Sequence, residues 1–123
     1  MASFAIKRVY EPAAASDGAR ILVDRLWPRG IAKDKARIDL WLKDISPSTE
    51  LRKRFHGKPD TWAEFRAAYF EELELPAAQG AAKILRDHLQ QGPVTLLYAA
   101  RDEAQNNALA LKAWLEQPRK TRK

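Results

Sequence analysis

The chain has no cysteine in 123 residues, only two histidines and a single methionine. The missing cysteines exclude disulfides, thiolate nucleophiles and thiolate metal sites together. With His56 and His88 far apart in sequence, the histidines argue against a transition-metal site as well. No run approaches the roughly 20 apolar residues that a bilayer span needs. The opening residues carry Lys7 and Arg8 inside an apolar alternation, unlike a signal or transit peptide. The expected setting is the cytoplasm, with no membrane partner. Glycine is scarce, and Gly18, Gly30 and Gly57 stand isolated. There is accordingly no phosphate loop of the Walker type and no dinucleotide fingerprint. A Gly-x-Ser-x-Gly elbow is absent, and Ser3, Ser16, Ser46 and Ser48 fall in ends, turns or caps. No cofactor is implied.

What is present is basic charge: 22 Lys and Arg against 16 Asp and Glu, a formal net charge of +6. Arg119, Lys120, Arg122 and Lys123 account for 4 of these, leaving +2 for everything before Pro118. Residues 1–117 are expected to form one domain and residues 118–123 a basic disordered tail. The run Arg52-Lys53-Arg54 is the dense basic patch within the domain.

Hydrophobic patterning predicts an α/β domain, a small and mainly parallel sheet with helices on both faces. Residues 4–9 and 20–26 read as strands, separated by a loop that holds Pro12 and the turn dipeptide Asp17-Gly18. Residues 38–43 fit a third strand, although a short helix fits nearly as well. Ser46-Pro47 has the form of a helix start, Ser as N-cap and Pro at the first position. Thr61 and Glu64 have capping-box spacing, ahead of a stripe of Trp62, Phe65, Tyr69 and Leu73 that must pack against something. Pro76 ends that helix. Another runs through Ile84, Leu85 and Leu89 to Gly92, and a last one spans residues 105–116. Residues 94–100, Val-Thr-Leu-Leu-Tyr-Ala-Ala, have the unbroken apolar character of a strand covered on both faces.

In open α/β sheets ligands bind beyond the carboxyl ends of the strands. Arg25, Trp27 and Arg29 follow the second strand, Lys43 the third, and Arg101 and Asp102 the last, which itself carries Tyr98. If the strands run parallel, these residues converge. Arg25, Arg29, Lys43 and Arg101 would hold an anion, Trp27 and Tyr98 would border it, and Asp102 or His56 would move protons. Each has a plainer reading. Arg25 and Asp24 suit an internal ion pair, Trp27 a core plug, Asp102 a helix cap, and His56 a donor at a helix end.

The runs Lys7-Arg8-Val9-Tyr10, Val23-Asp24-Arg25-Leu26-Trp27-Pro28-Arg29-Gly30, Phe55-His56-Gly57 and Thr95-Leu96-Leu97-Tyr98-Ala99-Ala100-Arg101 closely resemble the YeaO-like family of uncharacterised proteins. The likeness runs in order from Lys7 to about Leu115. It implies a small cytosolic α/β fold and supplies neither substrate nor catalytic residue.

Three functions stay open on the sequence. One is a small enzyme or ligand-binding domain for an anionic, phosphate- or nucleotide-like molecule. The second is a nucleic-acid-associated protein with weak, non-specific binding through Arg52-Lys53-Arg54 and the tail. The third is a protein-interaction adaptor. Oligomeric state leaves no trace in the sequence.

Overall fold

Val94–Tyr98 (β4) is buried at every position, and the rest of the sheet is arranged around it. A computed structural model describes residues 3–55 and 58–117. Ala5–Arg8 (β1), Ala19–Leu22 (β2) and Leu40–Trp41 (β3) join β4 in one sheet of order β1-β4-β2-β3, with every neighbouring pair parallel. The expected interior position of this strand, and the parallel sheet around it, are both observed.

Alternation along the strands sorts the core into two layers. Ile21, Val23, Leu42, Val94, Leu96 and Tyr98 pack in one cluster with side chains of the larger helices. These helices are Thr49–Phe55 (α2), Trp62–Leu73 (α3), Pro76–Gln91 (α4) and Asn107–Leu115 (α5). On the other face, Val9, Leu22 and Leu97 form a smaller cluster with Trp27, Ile31, Ile38 and Trp41. Its cover comes mainly from the β2–β3 connection, which contains the short helix Lys33–Ala36 (α1). The result is an α/β sandwich with one heavy and one light helical layer.

Several boundaries differ from expectation, each for a local reason. The third strand keeps only two paired residues, because a turn at Lys43–Ile45 follows at once. Ser46 does not cap α2; its hydroxyl donates to the Lys43 carbonyl at 2.5 Å and closes that turn. The cap is Ser48, whose Oγ accepts from the Leu51 N–H at 3.0 Å and donates to Glu72 Oε2 at 2.6 Å. Thr61 makes no capping box, since its hydroxyl donates to the Lys58 carbonyl at 2.6 Å. Pro76 ends α3 by opening α4 at its first position.

Ser48 thus holds the start of the helix that carries Arg52 and Phe55. Ser48→Ala should lower stability by about 1 kcal/mol, as a lost N-cap does. Denaturant melts read this directly, and an unchanged midpoint would mean that the Glu72 contact to the Ser48 N–H holds α2 by itself.

Candidate functional site

The sheet order creates the cleft. After β4 the chain turns towards α5, on the heavily covered face; after β2 it turns towards Trp27 and Ile31, on the other. β2 and β4 are neighbours, so their outgoing connections part from one another and leave a crevice between them. This crevice has a volume of about 690 Å³. Residues 24–29 and 99–102 form two of its walls, the start of α5 a third, and Arg52, Phe55, Trp62 and Phe65 of α2 and α3 the last.

The strand-end residues reach it unequally. Arg25, Trp27, Arg29, Arg101 and Asp102 all line the cleft. Arg25 is engaged there by backbone: its Nε donates to the Pro47 carbonyl at 3.1 Å and its Nη2 to that of Ser46 at 3.5 Å. It ties the β2 loop to the approach of α2 and makes no ion pair with Asp24. Trp27 serves both readings, lining the cleft while its Nε1 donates to the Ile31 carbonyl at 2.7 Å and its ring meets Trp41 edge-on at 5.4 Å. Arg29 and Arg101 are exposed and, among the described residues, make no side-chain hydrogen bond or ion pair. Asp102 Oδ1 accepts from the N–H groups of Ala104 and Gln105 at 2.8 and 3.0 Å. It braces the turn ahead of α5, whose N-cap is Asn106, accepting from the Leu109 N–H at 2.8 Å.

Lys43 and Tyr98 lie elsewhere. Lys43 follows β3, at the sheet edge beyond β2, and its ammonium sits 4.2 Å over the Trp41 ring beside a separate shallow depression. Tyr98 shares its strand face with Val94 and Leu96, so it enters the main core at 3 % exposure. Burial, followed by the Glu103 and Glu11 carboxylates, pushes its phenol up, and it stays protonated at neutral pH. His56 lies outside the described residues, as do residues 118–123.

Other residues complete the site. Asp24, at the end of β2, accepts from Asn107 Nδ2 at 2.9 Å through Oδ1 and from the Ala99 N–H at 2.9 Å through Oδ2. It pins the outgoing segments of β2 and β4 together across the cleft floor. Burial raises its carboxyl above the ordinary 3.8, against the pull of those two donors and of the Arg52 charge. Arg8 donates from Nε to the Ala100 carbonyl at 2.8 Å and from Nη2 to that of Ala99 at 3.2 Å, fixing the segment before Arg101. Tyr10 hydroxyl donates to the Arg29 carbonyl at 2.9 Å. Arg52, Trp62 and Phe65 were legible only as a basic run and a packing stripe. Their helical spacing shows that they share a face and says nothing of what lies opposite.

Among the described residues, no three His, Cys, Asp or Glu side chains gather as metal ligands, and no helix is long and apolar enough to cross a membrane.

Fold and cleft together define the class: a small, all-parallel α/β domain with a basic, aromatic-walled crevice at the carboxyl edge of its sheet. The chain belongs to the family described as the inactive DUF488-N3 subclade, whose profile matches residues 3–123. It is similar to the uncharacterised protein YeaO of Escherichia coli K12, at 54% identity over 109 residues, covering 89% of this chain and 93% of that protein. It is also similar to the uncharacterised protein Rv3073c of Mycobacterium tuberculosis H37Rv, at 42% identity over 106 residues, 86% of this chain and 87% of that one. No solved structure gives a match.

Proposed function

We propose that this chain is a cytoplasmic binding protein for a small anionic molecule, held in the cleft between β2 and β4 without being turned over. The observation that carries the reading is a set of exposed guanidinium groups, Arg29, Arg52 and Arg101, around one crevice and without ion pairs among the described residues. Like charges so gathered repel one another, and an anion relieves that repulsion while accepting paired N–H donors. Asp24 and Asp102 offset only part of the positive charge, because the cleft lining also includes Arg25 and Lys58. Binding is preferred over catalysis because the family is described as inactive. In addition, the carboxylates of the cleft already accept backbone or amide donors that hold the walls in place.

Thermal-shift measurements at low salt with inorganic pyrophosphate and phosphorylated metabolites test this. An anion at a hundredfold excess over its Kd should stabilise the wild type by about 2.7 kcal/mol. Arg29→Ala and Arg101→Ala should each blunt that gain, and Lys43→Ala, outside the cleft, should leave it intact. Equal shifts in all four proteins would reduce the effect to charge screening and sink the reading.

One observation favours a second reading. Arg52, Lys53 and Arg54 are all exposed in the last turn of α2, a short basic surface of the kind that meets a nucleic-acid backbone. That reading predicts an affinity for mixed-sequence DNA or RNA that falls steeply and linearly on a log–log plot against salt.

A further inference from the structure

The uncharged side of the cleft has no use in holding a bare anion. Trp62 and Phe65 stack at 5.5 Å with 21° between their planes, and Phe55 meets Phe65 edge-on at 6.0 Å. All three pack on the main core yet stay partly exposed, and all three line the crevice. Aromatic surface kept open in a concavity beside arginines suits a flat partner that covers it, at a ring separation like those already present. The cleft volume of about 690 Å³ leaves room for a ring system as well as an anion.

The floor adds a directional contact. Each Asp24 oxygen accepts one hydrogen bond within the protein, from Asn107 or Ala99, and a carboxylate oxygen has a second lone pair. Among the described residues Asp24 makes no ion pair, and because it lines the cleft it can accept from a donor that enters there. A base can meet it with a ring N–H or an exocyclic amine while lying against the aromatic wall. Inorganic pyrophosphate has neither, and a sugar phosphate brings hydroxyls but no flat ring to hold them there.

Resting on the anion-binding reading above, we infer that the ligand is a nucleoside phosphate: its base lies against the Trp62–Phe65 wall with a donor edge towards Asp24, and its phosphate meets Arg52 and Arg101. The wall, the acceptor and the cations answer to three different parts of one molecule, and the aromatic contact tolerates any base because every base has a π-face.

The test is titration of the full chain, by calorimetry and tryptophan fluorescence, with guanosine and adenosine monophosphates, ribose 5-phosphate and inorganic pyrophosphate. The nucleotides should bind about tenfold tighter than ribose 5-phosphate, the range that base–aromatic stacking supplies. Trp62→Leu should erase that advantage and leave ribose 5-phosphate unchanged, while Trp62→Phe, which keeps a ring, retains most of it. Asp24→Asn should weaken the nucleotides more than ribose 5-phosphate, whose hydroxyls have no stacked ring to fix them against that carboxylate. Nucleotides that bind no tighter than ribose 5-phosphate, or a Trp62→Leu loss shared equally by both, would overturn the nucleoside assignment and leave the anion cleft standing. Silence from every phosphorylated compound, pyrophosphate included, would overturn both.

Discussion

Gly18→Ala should lower the thermal midpoint by about 10 °C or more, the effect of losing about 3 kcal/mol in a domain of this size. Gly18 has φ of +65°, in the region that L side chains avoid. A Cβ there would also overlap the carbonyl oxygen of Pro93. That carbonyl cannot withdraw easily, because it accepts the Ala19 N–H at 2.9 Å where β2 enters the sheet beside β4. Strain and overlap therefore add at a point where two central strands begin. Gly30→Ala is the control: its φ of +81° carries the conformational penalty, and no heavy atom would lie within 4 Å of the new Cβ. It should cost only about 1 kcal/mol. Equal losses in the two variants would show that Pro93 yields freely and that only the dihedral angle matters.

Asp17→Ala should be comparably damaging, about 3 kcal/mol, as expected when one partner of a buried ionic group is removed. Arg20 Nη1 reaches Asp17 Oδ2 at 2.6 Å, and Lys7 Nζ contacts both oxygens at 3.0 and 3.1 Å. The carboxylate also accepts the Ala14 N–H at 3.0 Å, and the Asp17 carbonyl accepts the Thr95 hydroxyl at 2.8 Å. The variant would leave two inward cations without the carboxylate both donate to.

The same site sets a pH dependence. Burial pushes the Asp17 carboxyl up, but its bonds from Ala14, Lys7 and Arg20 outweigh this and hold it below the ordinary 3.8. Stability contributed by ionised Asp17 is therefore complete well above 3.8 and is lost as pH falls through the lower folded value. Asp24 has the opposite sign. Its folded value is raised, so between that value and 3.8 the folded chain takes up a proton that the unfolded chain does not, and stability gains as pH falls. Melting curves from about pH 2 to pH 6 separate the two. Asp17→Asn should flatten the acid limb, and Asp24→Asn the limb above it. An acid limb unaltered by Asp17→Asn would remove this group from the account.

Much of this architecture was readable locally. Val94–Tyr98 announced a doubly covered strand by its unbroken apolar run, and the alternation in residues 4–9 and the Ile21-Leu22-Val23 centre of residues 20–26 announced two further strands. Asp17-Gly18 marked the turn ahead of β2, where Gly18 closely approaches Pro93. Helix starts were less legible, because Ser46, Ser48 and Thr61 all have hydroxyls able to cap. The choice among them depended on which carbonyl or N–H the folded backbone brought within reach.

The sequence alone determined the class of fold, since the spacing of apolar side chains dictates which segments can bury a face and whether that face is a strand's or a helix's. It also determined that charge would accumulate past the strand ends, where Arg25, Arg29 and Arg101 follow their strands in the chain itself. Only the tertiary structure decided which of those charges meet. The order β1-β4-β2-β3 sets β2 beside β4 and leaves β3 outermost, so Arg29 and Arg101 face one crevice while Lys43 is carried to the far edge and settles on Trp41. Strand order has no local signature, because each strand's pattern records that it is covered and not by which neighbour. For the same reason Arg52, Trp62 and Phe65, distant in sequence from either strand end, join the site only once α2 and α3 pack beside it.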